Sequence, residues 1–213
     1  QRLFYFLHCS KVLLGTEPTD DPLPAEFSSG LRGCLEHVYA EDIGVSPASL
    51  DKISCAVDIG YSGVYSGREL TVCVFVMRKG SVIPLHDHPG MWVFGRLLFG
   101  KVRVRSFDPA APPKDGRMQA QLRADSVLGP EPVTFSLAPT EGNLHELEAL
   151  EDCAFFDVLT PSYDPRHERD CSYFKPLEDD PILAVGGWTT LVEYEPENFY
   201  MDSLKYEGPP CCI

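Results

Sequence analysis

The sequence predicts a mainly β protein with a short helical segment at its N-terminus. Three observations carry that expectation. Nineteen prolines and 17 glycines in 213 residues favour many turns and short strands over long helices. Helical spacing of apolar residues is confined to the first 45 positions. From about residue 53 the chain becomes a series of short apolar runs separated by turn residues. A single domain over 1–213 is expected, with a helical lead-in at 1–45 packed on a β-barrel and flanking loops at 53–206.

In chain order, residues 1–14 read as a helix with Leu3, Leu7 and Leu14 on one side. The stretch 16–24 holds three prolines and three acids and reads as a loop. Ser28 or Ser29 can cap a second helix through about Tyr39, with Leu31, Leu35 and Val38 inward. Strands are expected at 55–59 and 70–77, and 81–85 leads into a histidine pair. Two more, at 92–99 and 101–107, meet at Gly100. In the second, Val102 and Val104 alternate with Lys101, Arg103 and Arg105, which reads as a solvated basic face, with docking of an acidic partner as the other reading. The Pro-, Gly- and charge-rich stretch 108–129 reads as an excursion from the core. Strands follow at 132–137, 145–150 and 153–159, then loops, a short segment at 171–174 and a late strand at 188–194.

Composition narrows the function. A formal net charge of −14 argues against binding nucleic acid or anionic membrane surfaces, both of which repel such a chain. No apolar run approaches the roughly 20 residues that cross a bilayer. The apolar opening at 3–7 is too short for a signal peptide and lacks a cationic start. The C-terminal Cys211-Cys212-Ile213 does not fit prenylation, because Pro210 stands four from the end. Eight scattered cysteines form no C-x-x-C pair; Cys73 and Cys153 read as small core residues. Free thiols in a reducing compartment are expected, which places the protein in the cytoplasm and also admits the nucleus. A monomer is expected.

The chemistry concentrates in Gly80-Ser81-Val82-Ile83-Pro84-Leu85-His86-Asp87-His88-Pro89-Gly90-Met91. On an extended strand, side chains two apart point the same way, so His86 and His88 share a face and Asp87 points away. Two neutral imidazoles side by side suit a divalent transition metal. The best third ligand is His145, in Pro139-Thr140-Glu141-Gly142-Asn143-Leu144-His145. His8, His37 and His167 lack such company and read as surface residues.

Gly80, the histidine pair, Gly100 and the later Pro-x-x-Gly-x-x-His together resemble the two signature motifs of the cupin superfamily, whose double-stranded β-helix (jelly-roll barrel) holds a metal inside. The flanks narrow the resemblance. Residues 83–91, Leu97-Leu98-Phe99-Gly100-Lys101-Val102-Arg103-Val104, Gly142-Asn143-Leu144-His145, Phe156-Asp157-Val158-Leu159 with Pro161-Ser162-Tyr163-Asp164, and Arg169-Asp170-Cys171-Ser172-Tyr173-Phe174 are similar to the thiol dioxygenases of the 2-aminoethanethiol dioxygenase and plant cysteine oxidase family. The similarity runs in the same order to about Tyr206, and Glu41-Asp42-Ile43-Gly44-Val45 resembles the family's link into the barrel.

That resemblance implies Fe(II) held by His86, His88 and His145, with O2 oxidising the thiol of a protein's N-terminal cysteine, or of cysteamine, to the sulfinic acid. In the family this marks proteins for degradation when oxygen is plentiful, so oxygen sensing through an N-degron is implied. The plant-like Val93-Phe94-Gly95-Arg96-Leu97-Leu98-Phe99-Gly100 favours protein N-termini. Many cupins add a glutamate ligand shortly after the histidine pair; here Met91, Trp92 and Val93 stand there. Three imidazoles would leave the metal its full divalent charge, which suits an anionic sulfur.

Asp157 and Tyr163 match the family's Asp-x-x-x-Pro-Pro-Tyr run as catalytic and substrate-binding residues, with Ser162 in place of the second proline. Alternatives are a partner for a ligating histidine's free N–H at Asp157 and a rim aromatic at Tyr163. Cys171 and Tyr173 match a Cys-x-Tyr pair that can form a thioether crosslink, or a buried cysteine beside a packed tyrosine. Arg96 is a candidate for contact with the substrate backbone, or a solvent-facing charge. Two competing functions remain: a cupin with Zn or Ni acting as hydrolase, isomerase or lyase, and a metal-free binding module.

Overall fold

The computed structural model describes residues 4, 5, 7, 8, 23–180 and 184–211. Phe4, Tyr5, Leu7 and His8 are helical; the rest of the helix expected over 1–14, and most of the 16–24 loop, lie outside the described residues. The lead-in continues with helix α1 (Ala25–Leu35) and two 3-10 turns, Ala40–Ile43 and Pro47–Lys52. Helix α1 starts earlier than the serines suggest, directly after Pro24, and no side chain caps it. Phe27 explains the early start, because its ring packs edge-on against Phe94 at 6.4 Å between centroids.

Twelve strands follow: β1 (Ile59–Ser66), β2 (Thr71–Met77), β3 (Val82–His86), β4 (Trp92–Phe99), β5 (Val102–Pro109), β6 (Arg117–Leu128), β7 (Val133–Leu137), β8 (Leu144–Ala149), β9 (Cys153–Thr160), β10 (Phe174–Pro176), β11 (Trp188–Glu193) and β12 (Asp202–Ser203). They form two six-stranded sheets, ordered β12-β1-β2-β9-β4-β7 and β10-β11-β6-β5-β8-β3. Every pairing is antiparallel except β1 with β12. Consecutive strands alternate between the sheets from β3 to β5 and from β7 to β9, which is the jelly-roll arrangement of a cupin.

The first sheet is covered on both faces. Phe27, Leu31 and Leu35 of α1 pack with Val72, Val74, Phe156 and Val158 on its outer face. Ile59, Met77, Leu97 and Phe155 meet Ile83, Val102 and Leu147 of the second sheet on its inner face. This is why every residue of β9 is buried and why its sequence shows no alternation.

Three expectations are corrected. Residues 55–58 form a turn and bend, and the strand begins at Ile59; its glycines disguise it in sequence. Gly60 is needed there, because a Cβ would stand 2.4 Å from a Leu204 methyl. The stretch 108–129 is not an excursion: it contains β6, a 12-residue strand. Met118, Ala120 and Leu122 are buried on one face and alternate with Arg117, Gln119 and Arg123. Only its turn, with positive φ at Asp115 and Gly116, behaves as the composition suggests. Finally, the arginines of β5 do not present an open basic surface. Arg103 makes a two-point pair with Asp125 at 2.7 Å, and Arg105 pairs with Glu146.

Candidate metal centre

Strand β3 ends at His86, which pairs in register with His145 of β8. His88 lies two residues further on, in a turn closed by a Met91 N–H to His88 carbonyl bond of 3.0 Å. The turn passes through Pro89 and Gly90, the latter at φ 64°, a conformation glycine adopts without a Cβ penalty. This brings the three imidazoles together and buries all three. The Nε2 atoms of His88 and His145 are 3.0 Å apart, and those of His145 and His86 are 3.2 Å apart.

The outer ring nitrogens decide what these close approaches are. His86 Nδ1 donates to the Pro84 carbonyl at 2.8 Å. The Tyr163 hydroxyl donates to the Asp87 carbonyl at 2.8 Å, so its oxygen accepts from His88 Nδ1 at 2.6 Å. Both rings therefore carry their proton on Nδ1 and aim a bare Nε2 lone pair inward. Burial lowers the His86 pKa to about 4 and holds His88 and His145 well below the usual histidine range, with the neighbouring imidazoles adding to the effect. All three rings are neutral at pH 7, the form that ligates metal.

Nε2 of His145 faces both of these lone pairs, so a proton on it or a cation among the three nitrogens relieves their repulsion. An ion roughly 2.1 Å from two imidazole nitrogens separates them by about 3.0 Å at a right angle and about 3.4 Å at the tetrahedral angle. The observed 3.0 and 3.2 Å fit such a group, nearer the right angle of an octahedral face. With no carboxylate in the cluster, the set is a three-histidine facial triad of the kind that holds Fe(II).

The triad opens into a cavity of about 230 Å³ between the sheets. Its walls are largely apolar, with Phe75, Phe155 and Leu159 from the first sheet and Ile83 and Leu147 from the second. Asp157 faces the triad across this space from β9. It is buried, its Oδ1 has no hydrogen-bond partner, and desolvation raises its pKa to about 8. It is not the partner of a ligating histidine: His86 and His88 use Pro84 and Tyr163, and His145 Nδ1 has no protein partner.

Tyr163 lines the cavity and also orients His88, its ring stacked on the imidazole at 5.5 Å. Cys171 and Tyr173 are brought together on the same wall, and the Cys171 thiol is within hydrogen-bond reach of both tyrosine hydroxyls. That segment is fastened to the histidine loop by the Asp87 N–H to Ser172 carbonyl (3.2 Å) and the Ser172 N–H to Asp87 Oδ1 (2.8 Å).

Arg96 is corrected. Its neighbour Gly95 faces Asp157, so Arg96 points to the outer face of the sheet. There Nε donates to the Val38 carbonyl at 2.7 Å, Nη1 reaches Thr134, and the guanidinium lies over the Tyr39 ring. It does not line the cavity and is only 5% exposed; it ties the lead-in to the barrel.

Sequence reasoning missed Tyr61 and Cys73, which share the cavity wall with Asp157, and Phe199 and Met201. The strand alternation held the signal for Cys73. It lies directly opposite Asp157 in the β2–β9 register, so the two must share a face.

The chain was also compared with known proteins. The PCO_ADO family profile matches residues 34–211. Plant cysteine oxidase 2 of Arabidopsis thaliana is 30% identical, over 94% of this chain and 79% of that protein. Plant cysteine oxidase 1 of the same plant is 32% identical, over 80% of this chain and 62% of that protein. The 2-aminoethanethiol dioxygenase of Homo sapiens is 30% identical, over 77% of this chain and 70% of that protein. A triad of neutral, converging imidazoles opening on an apolar cavity with one buried acid thus sits in a chain matched along most of its length, and the chain belongs to the PCO_ADO family.

Proposed function

We propose that this chain is an Fe(II)-dependent thiol dioxygenase acting on a thiol with a free amine two carbons away. The observation that carries the reading is the convergence of three neutral imidazoles on a cavity with one buried carboxyl and, among the described residues, no lysine or arginine in its lining. In the net reaction, RSH and O2 give RSO2H. Two S–O bonds form, the O–O bond breaks, and dioxygen takes four electrons from sulfur.

His86, His88 and His145 would hold the iron, leaving its remaining positions to the substrate. Fe(II), when bound, supplies the positive charge that favours thiolate over thiol and the redox access to dioxygen. The protein supplies the rest. Asp157 offers the cavity's buried carboxyl to the substrate's ammonium group, a charged partner that offsets the desolvation now holding it protonated. Phe75, Phe155 and Leu159 keep bulk water from the reacting sulfur. Tyr163 fixes the tautomer of His88 and presents its hydroxyl to the cavity.

Among aminothiols, the N-terminal cysteine of proteins is the proposed physiological substrate, which would make the enzyme an oxygen sensor in an N-degron pathway. The plant-like 93–100 segment and the similarity to plant cysteine oxidases support this choice. Competition between a Cys-initiated peptide and cysteamine for the iron-loaded protein tests it. A higher kcat/KM for the peptide supports protein N-termini; a preference for cysteamine removes them.

A further inference from the structure

The β3–β8 ladder stops at the His86–His145 pair. His88 lies beyond it, only 4% exposed, so its backbone N–H and carbonyl are buried where no strand can pair them. The side chain of Asn143 pairs both. Its Oδ1 accepts from the His88 N–H at 3.0 Å, and its Nδ2 donates to the His88 carbonyl at 2.7 Å. A primary amide carries an N–H syn to its C=O, so the two face one way, as the N–H and C=O of a single strand residue do, and Asn143 supplies one further rung to a ladder the backbone has abandoned. It is itself 4% exposed and stands two residues before His145, on the approach to β8. One rigid side chain therefore joins the backbone of one metal-binding histidine to the strand that carries another.

We propose that Asn143 is a positioning residue for the metal centre. Its amide sets the spacing of His88 and His145, and so the affinity of the triad for a divalent ion. The turn bond from Met91 to the same carbonyl shapes the loop locally but does not link it to β8. Without the amide, His88 keeps its ring and its Tyr163 contact but loses its register against His145. The inference rests on the triad binding metal, and its test separates the two.

The test uses metal-free full-length protein and Co2+ alone, with affinity measured by competition against a chromogenic chelator and thermal unfolding followed in parallel. Asn143→Ala removes both bonds to His88, together with the longer one from Nδ2 to the Ala138 carbonyl at 3.4 Å. Asn143→Asp keeps the shape and the bond from the His88 N–H, but sets an oxygen against the His88 carbonyl. Both variants are expected to bind Co2+ about 10- to 100-fold more weakly than wild type, the range for losing a group that orients a ligand. Asn143→Asp is expected to unfold at a lower temperature than wild type, because it buries a carboxyl against a carbonyl, but to be folded at the temperature of the binding assay. A folded variant with wild-type Co2+ affinity overturns the proposal. Failure of both variants to fold also overturns it, by making Asn143 a residue of global stability. Wild-type protein that binds no Co2+ would refute the metal reading itself, whatever the variants do.

Discussion

Asp157→Asn converts the electrostatics of the cavity into a measurable stability. Desolvation pushes the buried carboxyl up to about 8, from 3.8 for a free aspartate. Between those values the folded chain keeps a proton that the unfolded chain has released, so this group's contribution to stability is full below the unfolded pKa and falls as pH rises. The slope is about 1.4 kcal/mol per pH unit. From about pH 5.5 to about pH 7.5, wild type should therefore lose roughly 2 to 3 kcal/mol that Asp157→Asn does not lose. Urea unfolding of the metal-free proteins at both pH values measures this difference. The histidines titrate in both proteins and cancel in the comparison. Parallel stability curves would refute the reasoning, because they would mean that the carboxyl is solvated or paired. The same variant, loaded with iron, should show a raised KM for an aminothiol with unchanged metal content.

Other perturbations separate the remaining roles. His86→Ala or His145→Ala should abolish stoichiometric iron binding, read by metal analysis after anaerobic reconstitution. Tyr163→Phe keeps the stacked ring but frees His88 Nδ1, and should weaken Co2+ binding by about 10-fold or more. Arg96→Ala should cost about 2 kcal/mol in chemical denaturation, through loss of a buried charged hydrogen bond to the Val38 carbonyl, with kcat/KM unchanged in the folded protein.

What the sequence disclosed followed the physics that local pattern records. The triad was legible because two histidines at a spacing of two must share a strand face, and His145 stood in the one other turn-to-strand approach with a suitable ligand. Strands β4, β7, β8 and β9 were legible from runs of apolar residues bounded by Gly, Pro or acids. Strand β6 was missed because the prolines and glycines of its turn dominated the composition of the whole stretch, although Met118, Ala120 and Leu122 carried the alternation. Arg96 was misplaced because nothing local tells which face of a doubly covered strand meets the cavity and which meets the helical lead-in. Asn143 looked like an ordinary turn residue; its role depends on a backbone 55 residues away.

The central claim is tested most directly by isotope labelling. Iron-loaded protein is given a Cys-initiated peptide under 18O2, and the product is weighed by mass spectrometry. The account predicts a sulfinic acid carrying two labelled oxygens, with one dioxygen consumed for each thiol. Unlabelled or singly labelled product, or turnover that continues without oxygen, would contradict it.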